Sequence, residues 1–166
     1  IIISDSNNHR VRKLDMETKL IHTIAGKGDG LDGGSAIDAK LSSPRQAYHD
    51  KSTGDLFIVE GTGHKIRRVF ASNSTITTVV GQCINSVNKG DGGPAVEACL
   101  KGPYDFTMND AGEWFIDDTG NNLIRKVGLD GIISTVAGGG NSVTGDLPPK
   151  EVKLDFPMAI AFTPSG

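Results

Sequence analysis

The sequence predicts an all-β protein, a β-propeller of four-stranded antiparallel blades, of which about three blade equivalents are present. Two observations lead to this fold class: the chain repeats itself three times, and its apolar runs are short and rich in strand-forming residues. A third observation is the high glycine content, 22 of 166 residues, which indicates many tight turns. No segment keeps apolar residues at i, i+3, i+4 and i+7 for long enough to form a regular helix.

The repeat is visible when residues 1–26, 56–81 and 114–138 are aligned. Each copy begins with a short apolar run and passes through an acid and a polar turn to Val or Ile followed by Arg. It then ends in a β-branched run before glycine. Such runs, bounded by Gly, Asn, Asp and Ser, predict three successive strands in each copy. Apolar residues at consecutive positions indicate strands that are buried on both faces, as in a sheet between two neighbouring sheets.

A fourth strand is predicted in each repeat, directly after the proline that ends a linker. The prolines and the strands that follow them are Pro44 with Gln46–His49, Pro103 with Tyr104–Met108, and Pro157 with Met158–Phe162. Four short strands in a repeat of this length match the blade of a propeller. A right-handed β-helix is the alternative for a glycine-rich repeat, but its rungs are usually shorter.

The whole chain is predicted to be one partial propeller, with repeat units at about residues 1–50, 51–110 and 111–166. It begins at the second strand of one blade and ends after the first strand of a fourth, so twelve strands are expected. Three blades cannot close a ring, because propellers usually have at least four. We therefore expect a fragment of a longer protein, in line with the missing initiator Met. The alternative is an oligomer in which two copies complete a six-bladed ring.

Charge and hydropathy argue against two broad classes of partner. The formal net charge is −3 and the isoelectric point is near 5.8, which argues against general electrostatic binding to nucleic acid or to an anionic membrane. No apolar run approaches the roughly 20 residues of a transmembrane helix, so membrane insertion is not expected. The expected partners are other proteins or the rest of the same chain.

An acid and an arginine recur seven residues apart in every repeat, across a predicted hairpin turn. The three pairs are Asp5 with Arg12, Glu60 with Arg67, and Asp118 with Arg125. Such charges could bind a substrate, but a unique site would not occur three times. We therefore predict a structural role, in which the acid caps the turn and the arginine spans the edge of the blade.

The linkers between the repeats carry Gly-Asp-Gly and Asp-Gly-Gly stretches that match neither a phosphate-binding loop nor an EF-hand. Glycine is expected to supply the positive φ angles of tight turns there. Asp32 and Asp91 are expected to cap one-turn helices at Ala36–Leu41 and Ala95–Leu100. A structural calcium ion is the alternative use of these carboxylates. No other metal and no cofactor are predicted, because the histidines lack the spacing of a ligand set.

Two further features favour a secreted or cell-surface location. The only cysteines, Cys83 and Cys99, bracket one linker and have no counterpart in the other two. A local disulfide is the economical interpretation, worth about 3 kcal/mol for a loop of this size, and two free thiols are the alternative. Asn73 begins an Asn-Ser-Thr sequon in a predicted turn, where a glycan could be accommodated. Disulfides and glycans both belong to extracellular proteins.

With these elements aligned, the chain resembles the NHL-repeat propellers over essentially its whole length. The resemblance rests on SDSNNHRVRKLD, VEGTGHKIRRVF and DDTGNNLIRKVG, on the strand ends TIAG, TVVG and TVAG, and on the linker motif GDGGPA. It is strongest for the long-linker repeats of large multidomain and cell-surface proteins. The third repeat departs most, because Asn122 replaces His, and Leu147, Pro148 and Pro149 replace the Gly-Gly-Pro-Ala stretch.

The expected function is a non-enzymatic scaffold or protein-interaction module, with the linker from Gln82 to Gly102 as its contact surface. The resemblance implies two alternatives. Some NHL-type propellers are lyases or lactonases with a metal in the central channel, but the predicted channel strands supply Asp105 and no histidine cluster. Others bind single-stranded RNA on a basic face, but aromatic residues for base stacking are few here. The bases on the three third strands are Arg10, Arg12, Lys13, Lys65, Arg67, Arg68, Arg125 and Lys126.

Overall fold

The computed structural model describes residues 1–83, 90–144 and 146–163 of the chain. They fall into two compact units, Ile1–Val79 and Val80–Gly166. In the described residues the secondary structure consists of eleven β-strands and three 3-10 helices of one turn each. None of the helices in this part of the chain is long and apolar enough to cross a membrane.

The first unit contains two antiparallel sheets. Their strands are β1 (Ile2–Asp5), β2 (Arg10–Leu14), β3 (Ile21–Ala25), β4 (Pro44–His49), β5 (Leu56–Glu60), β6 (Lys65–Val69) and β7 (Ile76–Val80). The first sheet has the order β1-β2-β3 and the second has the order β4-β5-β6-β7, so each strand pairs with its neighbours in sequence. A 3-10 helix, Ser6–Asn8, joins β1 to β2.

The second unit contains one antiparallel sheet with the order β11-β10-β9-β8. Its strands are β8 (Phe106–Met108), β9 (Trp114–Asp118), β10 (Leu123–Val127) and β11 (Ile133–Gly138), and its 3-10 helices are Ala95–Glu97 and Thr119–Asn121. The four-stranded meanders of the two units have the strand order of propeller blades. They confirm the predicted all-β fold class.

The turn between the second and third strand of each blade has the same backbone geometry in all three repeats. His9, His64 and Asn122 occupy this turn with φ angles of 54°, 55° and 58°. This left-handed region is costly for most residues, but Asn tolerates it. The exchange of His for Asn122 in the third repeat therefore leaves the turn unchanged.

The core of the first unit lies between its two sheets. Its buried side chains come from β2, β3, β5, β7 and the linker between β3 and β4: Val11, Ala25, Ala36, Ala39, Leu41, Leu56, Ile58 and Ile76. Every residue of β5 is buried, which agrees with its run of consecutive apolar residues. The linker thus supplies part of the core rather than passing outside it.

The predicted twelfth strand at Met158–Phe162 is wrong, because this segment forms no strand ladder. The first strand of each complete blade pairs with the next strand in sequence, and no strand follows residue 157 among the described residues. The segment nevertheless packs against the third sheet. The Ile160 amide donates to Asp105 Oδ2 at 2.8 Å, and the ring of Phe162 meets Phe115 edge to face at 5.0 Å.

The predicted caps of the linker helices are also wrong. Residues 36–38 form a turn and residues 39–41 are not helical, and the 3-10 helix Ala95–Glu97 begins after Pro94 without a side-chain cap. Asp32 and Asp91 instead form ion pairs with arginines of the next sheet. An ion pair with a buried guanidinium is a stronger interaction than a cap, which explains why it prevails.

Ile21 and Ile76 begin the outer strands β3 and β7, but Ile21 is 54% exposed and Ile76 is fully buried. We expect Ile76→Ala to lower the free energy of unfolding by about 2–5 kcal/mol, because it deletes buried methyl groups and leaves a cavity. The matched change Ile21→Ala should cost less than about 1 kcal/mol. Urea denaturation followed by circular dichroism measures both values. Equal losses would contradict the placement of the core.

Candidate functional site

Arg67 on β6 is a deeply buried cation of the first unit. Its Nη1 donates to Glu60 Oε1 at 3.0 Å, and both side chains are buried. Its Nη2 forms an ion pair with Asp32, which lies in the linker between β3 and β4. The linker aspartate also accepts a hydrogen bond from Thr78 Oγ1 on β7 at 2.6 Å. One guanidinium thus joins the β5–β6 hairpin to the preceding linker.

The second unit repeats this arrangement around Arg125 on β10. Its Nη1 donates to Asp118 Oδ2 at 3.3 Å and its Nη2 to Asp91 Oδ1 at 2.5 Å. Asp91 Oδ2 accepts the amide of Thr135 on β11 at 3.0 Å. We call each three-residue set an arginine clasp. The two sets are Asp32, Arg67 and Glu60 in the first unit, and Asp91, Arg125 and Asp118 in the second.

The hairpin acid of each clasp also holds the far end of the linker. Glu60 Oε2 accepts the amide of Ser42 at 2.8 Å, and Asp118 Oδ1 accepts the amide of Lys101 at 2.7 Å. Both amides lie two residues before the proline that starts the next blade. Each clasp therefore fixes both ends of one linker to one blade.

The linkers pair with the outer strands through short segments that follow the clasp aspartates. Gly33 donates its amide to Ile76 at 2.7 Å, and Ile76 donates back to Gly34 at 2.9 Å. Gly92 and Gly93 make the same two bonds with Ile133, at 2.8 and 3.0 Å. We call residues 32–36 and 91–95 the straps, because each covers the outer edge of the sheet that follows it.

Part of the predicted contact surface is therefore engaged within the chain itself. In the linker from Gln82 to Gly102, residues 91–95 form a strap, and residues 84–89 lie outside the described residues. The straps were not predicted from the sequence. A signal was present, since a threonine recurs at one position of every outer strand, as Thr23, Thr78 and Thr135.

The acid and arginine of the first repeat form a pair without a strap. Arg12 Nε donates to Asp5 Oδ2 at 2.6 Å, and the two side chains are 27% and 25% exposed. Hydrogen bonds from Asn8 and then from Arg12 hold the pKa of Asp5 below its usual value. Within the described ranges no linker acid reaches Arg12.

Burial affects the pKa values of the carboxyl groups in the clasps. Removal from water raises the pKa of both hairpin acids, Glu60 and Asp118, despite the adjacent arginines. Burial would also raise the pKa of Asp91, but hydrogen bonds from Thr135 and the charge of Arg125 hold it below its usual value. The ionised hairpin acids therefore depend on the buried guanidinium as their counter-charge.

The predicted disulfide is present. Cys83 and Cys99 are bonded with their Cα atoms 4.8 Å apart, so the alternative of two free thiols is wrong. The bond closes the linker that contains the second strap. Backbone hydrogen bonds reinforce this closure, since Gly81 donates to Ala95 at 3.2 Å and Gln82 donates to Val96 at 2.7 Å.

The sequon asparagine Asn73 lies in the turn between β6 and β7, as predicted, and its side chain is exposed. Its Oδ1 accepts hydrogen bonds from the amide of Thr75 at 3.1 Å and from the hydroxyl of Thr75 at 2.8 Å. The turn therefore leaves room for a glycan. N-glycosylation at this position stays a prediction.

Asp117 is a titratable group that the sequence did not single out. It is fully buried; its Oδ1 accepts a hydrogen bond from Thr119 Oγ1 at 3.2 Å, and its Oδ2 has no hydrogen-bond partner among the described residues. Burial, helped by the nearby carboxylates of Asp105 and Asp118, raises its pKa to about 7. The Asp117 amide also donates to the Asp105 carbonyl at 3.0 Å. Asp105, the residue before β8, is thus joined to Asp117 through the backbone.

The bases on the third strands do not assemble into a free basic face. Five of the eight are held in ion pairs: Arg12, Arg67, Arg68, Arg125 and Lys126. The partners of Arg68 and Lys126 are Asp55 and Glu113. Phosphate binding needs cations that are open to solvent, so this arrangement disfavours an RNA-binding surface.

No metal-binding cluster is found in the part of the chain that the structure describes, since no three or more His, Cys, Asp and Glu residues lie together as ligands would. One histidine of the repeat has a structural contact instead. His9 Nδ1 accepts the amide of Ser43 at 3.1 Å, and Asn122 Oδ1 accepts the amide of Phe156 at 2.8 Å in the corresponding place. The first contact ties the two sheets of the first unit together, and the second ties the C-terminal segment to the sheet of the second unit.

Four-stranded meanders joined by long, clasped linkers define a class of protein, the β-propellers made of repeats. No family model matches the sequence. NHL repeat-containing protein 2 of Gallus gallus is 24% identical over all 166 residues, and Teneurin-3 of Mus musculus is 32% identical over 146 residues, or 74% of this chain. The chain is accordingly a series of NHL-type propeller repeats, as the resemblance in sequence implied.

Solved structures agree on the fold. An auxiliary nutrient binding protein of Bacteroides ovatus aligns over 98% of this chain with a TM-score of 0.72 and 19% identity. A virginiamycin B lyase of Staphylococcus aureus aligns over 90% with a TM-score of 0.53 and 14% identity. The chain spans only 22% and 5% of the two sequence relatives, and 40% and 38% of the two structures.

We expect Arg125→Leu to lower the free energy of unfolding by about 3–5 kcal/mol, because it leaves the buried Asp118 without its counter-charge. The matched change Arg12→Leu, at a partly exposed pair, should cost no more than about 1 kcal/mol. Chemical denaturation at pH 7 measures both. If the two variants lost equal stability, the clasp would not be the dominant interaction of its unit.

The pKa of Asp117 predicts a pH dependence of stability. Its folded value of about 7 lies above the unfolded value of 3.8, so the folded state binds the proton more tightly. The resulting stabilisation is complete below pH 3.8, declines as the pH rises and is lost above 7. Between pH 5 and pH 7 the protein should lose about 2 kcal/mol relative to Asp117→Asn. Urea denaturation of both proteins at several pH values tests this, and parallel profiles would refute it.

Proposed function

We propose that the chain is a non-enzymatic scaffold or protein-interaction module of a larger protein that is extracellular or at the cell surface. The observation that carries the proposal is that the buried arginines of the chain are paired with acids within the fold. Arg67 and Arg125 are bound on both sides by acids of the same unit, so these recurring charges fix the linkers to the blades. Groups engaged in this way are unavailable to a substrate.

Two features support the extracellular location. The Cys83–Cys99 disulfide is of a kind that persists in oxidising compartments and is rare in the cytosol. Asn73 offers an exposed sequon in a turn. The similarity in sequence to long-linker NHL repeats adds to these. Relatives of greater length suggest that the module acts within a larger chain.

Secretion of the chain from cultured animal cells tests the location. We expect an intact mass that shows one disulfide and a glycan that peptide N-glycosidase removes. Thr75→Ala keeps Asn73 but destroys the sequon, and it should abolish the glycan, whereas Thr75→Ser should retain it. Retention of a reduced, unglycosylated protein inside the cell would contradict an extracellular module.

A second candidate, a channel-centred lyase or hydrolase, is favoured by one observation. Asp117 has a pKa of about 7 beside a second carboxyl, Asp105, and a group with a pKa near the working pH is suited to general acid–base catalysis. Propeller lyases are also among the structures of similar fold. In such an enzyme Asp117 would exchange a proton with the substrate, and a metal would be an additional requirement.

Metal analysis and an activity screen separate the two candidates. The intact protein, purified without chelators, should retain far less than stoichiometric zinc or calcium if it is a scaffold module, because a structural or catalytic ion would bind tightly. A screen of lactones and virginiamycin B, chosen from the names of structures with a similar fold, should show no turnover. Stoichiometric metal, or turnover that Asp117→Asn abolishes and Asp110→Asn leaves intact, would overturn the non-enzymatic proposal.

A further inference from the structure

The outer strand of the first sheet, β3, is not covered as the other outer strands are. Ile21 begins β3 and is 54% exposed, and Leu20 before it is 56% exposed. Ile76 and Ile133 hold the same position in β7 and β11, and both are fully buried. A strap pairs with each of those two residues, whereas no strap pairs with β3 within the described residues.

The arginine at the same edge also has fewer ion-pair partners than its counterparts. Arg12 forms one ion pair, with Asp5, and its side chain is 27% exposed. The corresponding arginines, Arg67 and Arg125, each bind two acids and are 2% and 0% exposed. The missing partner in the first sheet is the strap aspartate. Thr23 stands at the position where Thr78 and Thr135 contact that aspartate in the other sheets.

We propose that Arg12, Ile21 and Thr23 form a docking site for the strap of another NHL-type repeat, an extended Asp-Gly-Gly segment. The aspartate of the segment binds Arg12 and Thr23. The next residue donates its amide to the Ile21 carbonyl, and the Ile21 amide donates to the carbonyl after that. The two straps already present in the chain supply this geometry. This docking site would be one defined surface of the proposed interaction module, and only this link rests on the proposed function.

The backbone explains why the segment must carry glycine after its aspartate. Gly33 and Gly92 hold this position with φ angles of 86° and 81°, a region that side chains disfavour. The third linker has Leu147 there, followed by two prolines, and Leu147 does not adopt a positive φ. The straps at Asp32 and Asp91 are already bound to their own arginines. A second copy of this chain therefore offers no strap that fits, and another repeat does.

The docked segment would make three interactions at this edge: an ion pair with Arg12, two backbone hydrogen bonds with Ile21, and a contact that buries the Ile21 side chain. Hydrogen bonds to charged groups are stronger than neutral ones, so the aspartate is expected to dominate affinity and fix the register. A free peptide must also lose its conformational freedom on binding. Tethering the segment to the chain raises its effective concentration to the millimolar range, which favours occupancy.

A synthetic peptide with the sequence of residues 28–39 provides the first test, titrated into the isotope-labelled chain and followed by NMR. We expect shifts at the amides of Ile21 and Thr23 and at Arg12 Nε. A peptide with the change Asp32→Asn should bind about tenfold more weakly, and one with Asp29→Asn should bind unchanged, because Asp32 alone contacts the arginine in the strap. In the protein, Arg12→Gln should weaken binding about tenfold, whereas Lys13→Gln on the same strand should not.

A tethered segment provides the second test. A copy of residues 28–55 fused ahead of Ile1 should slow hydrogen exchange of the Ile21 amide at least tenfold, because that amide gains a partner. The change of the added aspartate to asparagine should reverse much of the protection. If neither the tethered segment nor millimolar peptide affects Ile21, or if the asparagine forms bind equally well, the proposal is overturned.

Self-association is the competing outcome. Concentration-dependent shifts at Ile21 without peptide, together with a dimer by light scattering, would show that a second copy occupies the edge and would overturn the assigned occupant. None of these measurements depends on metal content, turnover or secretion. Failure of strap docking is therefore distinguishable from failure of the proposed function.

Discussion

The structure depends on the burial of one guanidinium in each complete blade. A charge removed from water must be neutralised where it lies, and a planar guanidinium can bind two carboxylates from different directions. In the second unit Arg125 binds one acid from its own hairpin and another from a linker 34 residues earlier. The need to satisfy a single cation thus holds together two segments that are distant in sequence. The positions of the linker, the hairpin and the outer strand all follow from it.

The sequence predicted most of the strands because internal repetition shows which segments are equivalent. The prediction failed where strand formation depends on a neighbouring strand to pair with and not on residue type alone. Met158–Phe162 has the composition of the other first strands but no strand in the described residues to pair with. It failed again at Asp32 and Asp91, because short-range rules favour a local cap. The preference for the distant arginine arises only once the fold has brought it near.

Only part of each arginine clasp could be predicted from the sequence. The hairpin acids stand at a constant spacing from their arginines, so repetition revealed those pairs. The linker acids stand at a distance set by linkers of unequal length and composition, which hides them. Asp117 was invisible for a different reason, since its burial and its neighbour Asp105 occur in one repeat only. Repetition identifies what all copies share and overlooks what a single copy has acquired.

The straps also define the segment that a gene duplication would have to copy. A blade taken from its first strand to its last would arrive with a bare outer edge and an arginine lacking one of its two acids. A segment that starts at the strap and ends with the outer strand, as residues 28–80 do, brings its own cover and its own counter-charge. The heritable repeat is therefore offset from the visible blade. An insertion within a linker separates a blade from the strap inherited with it.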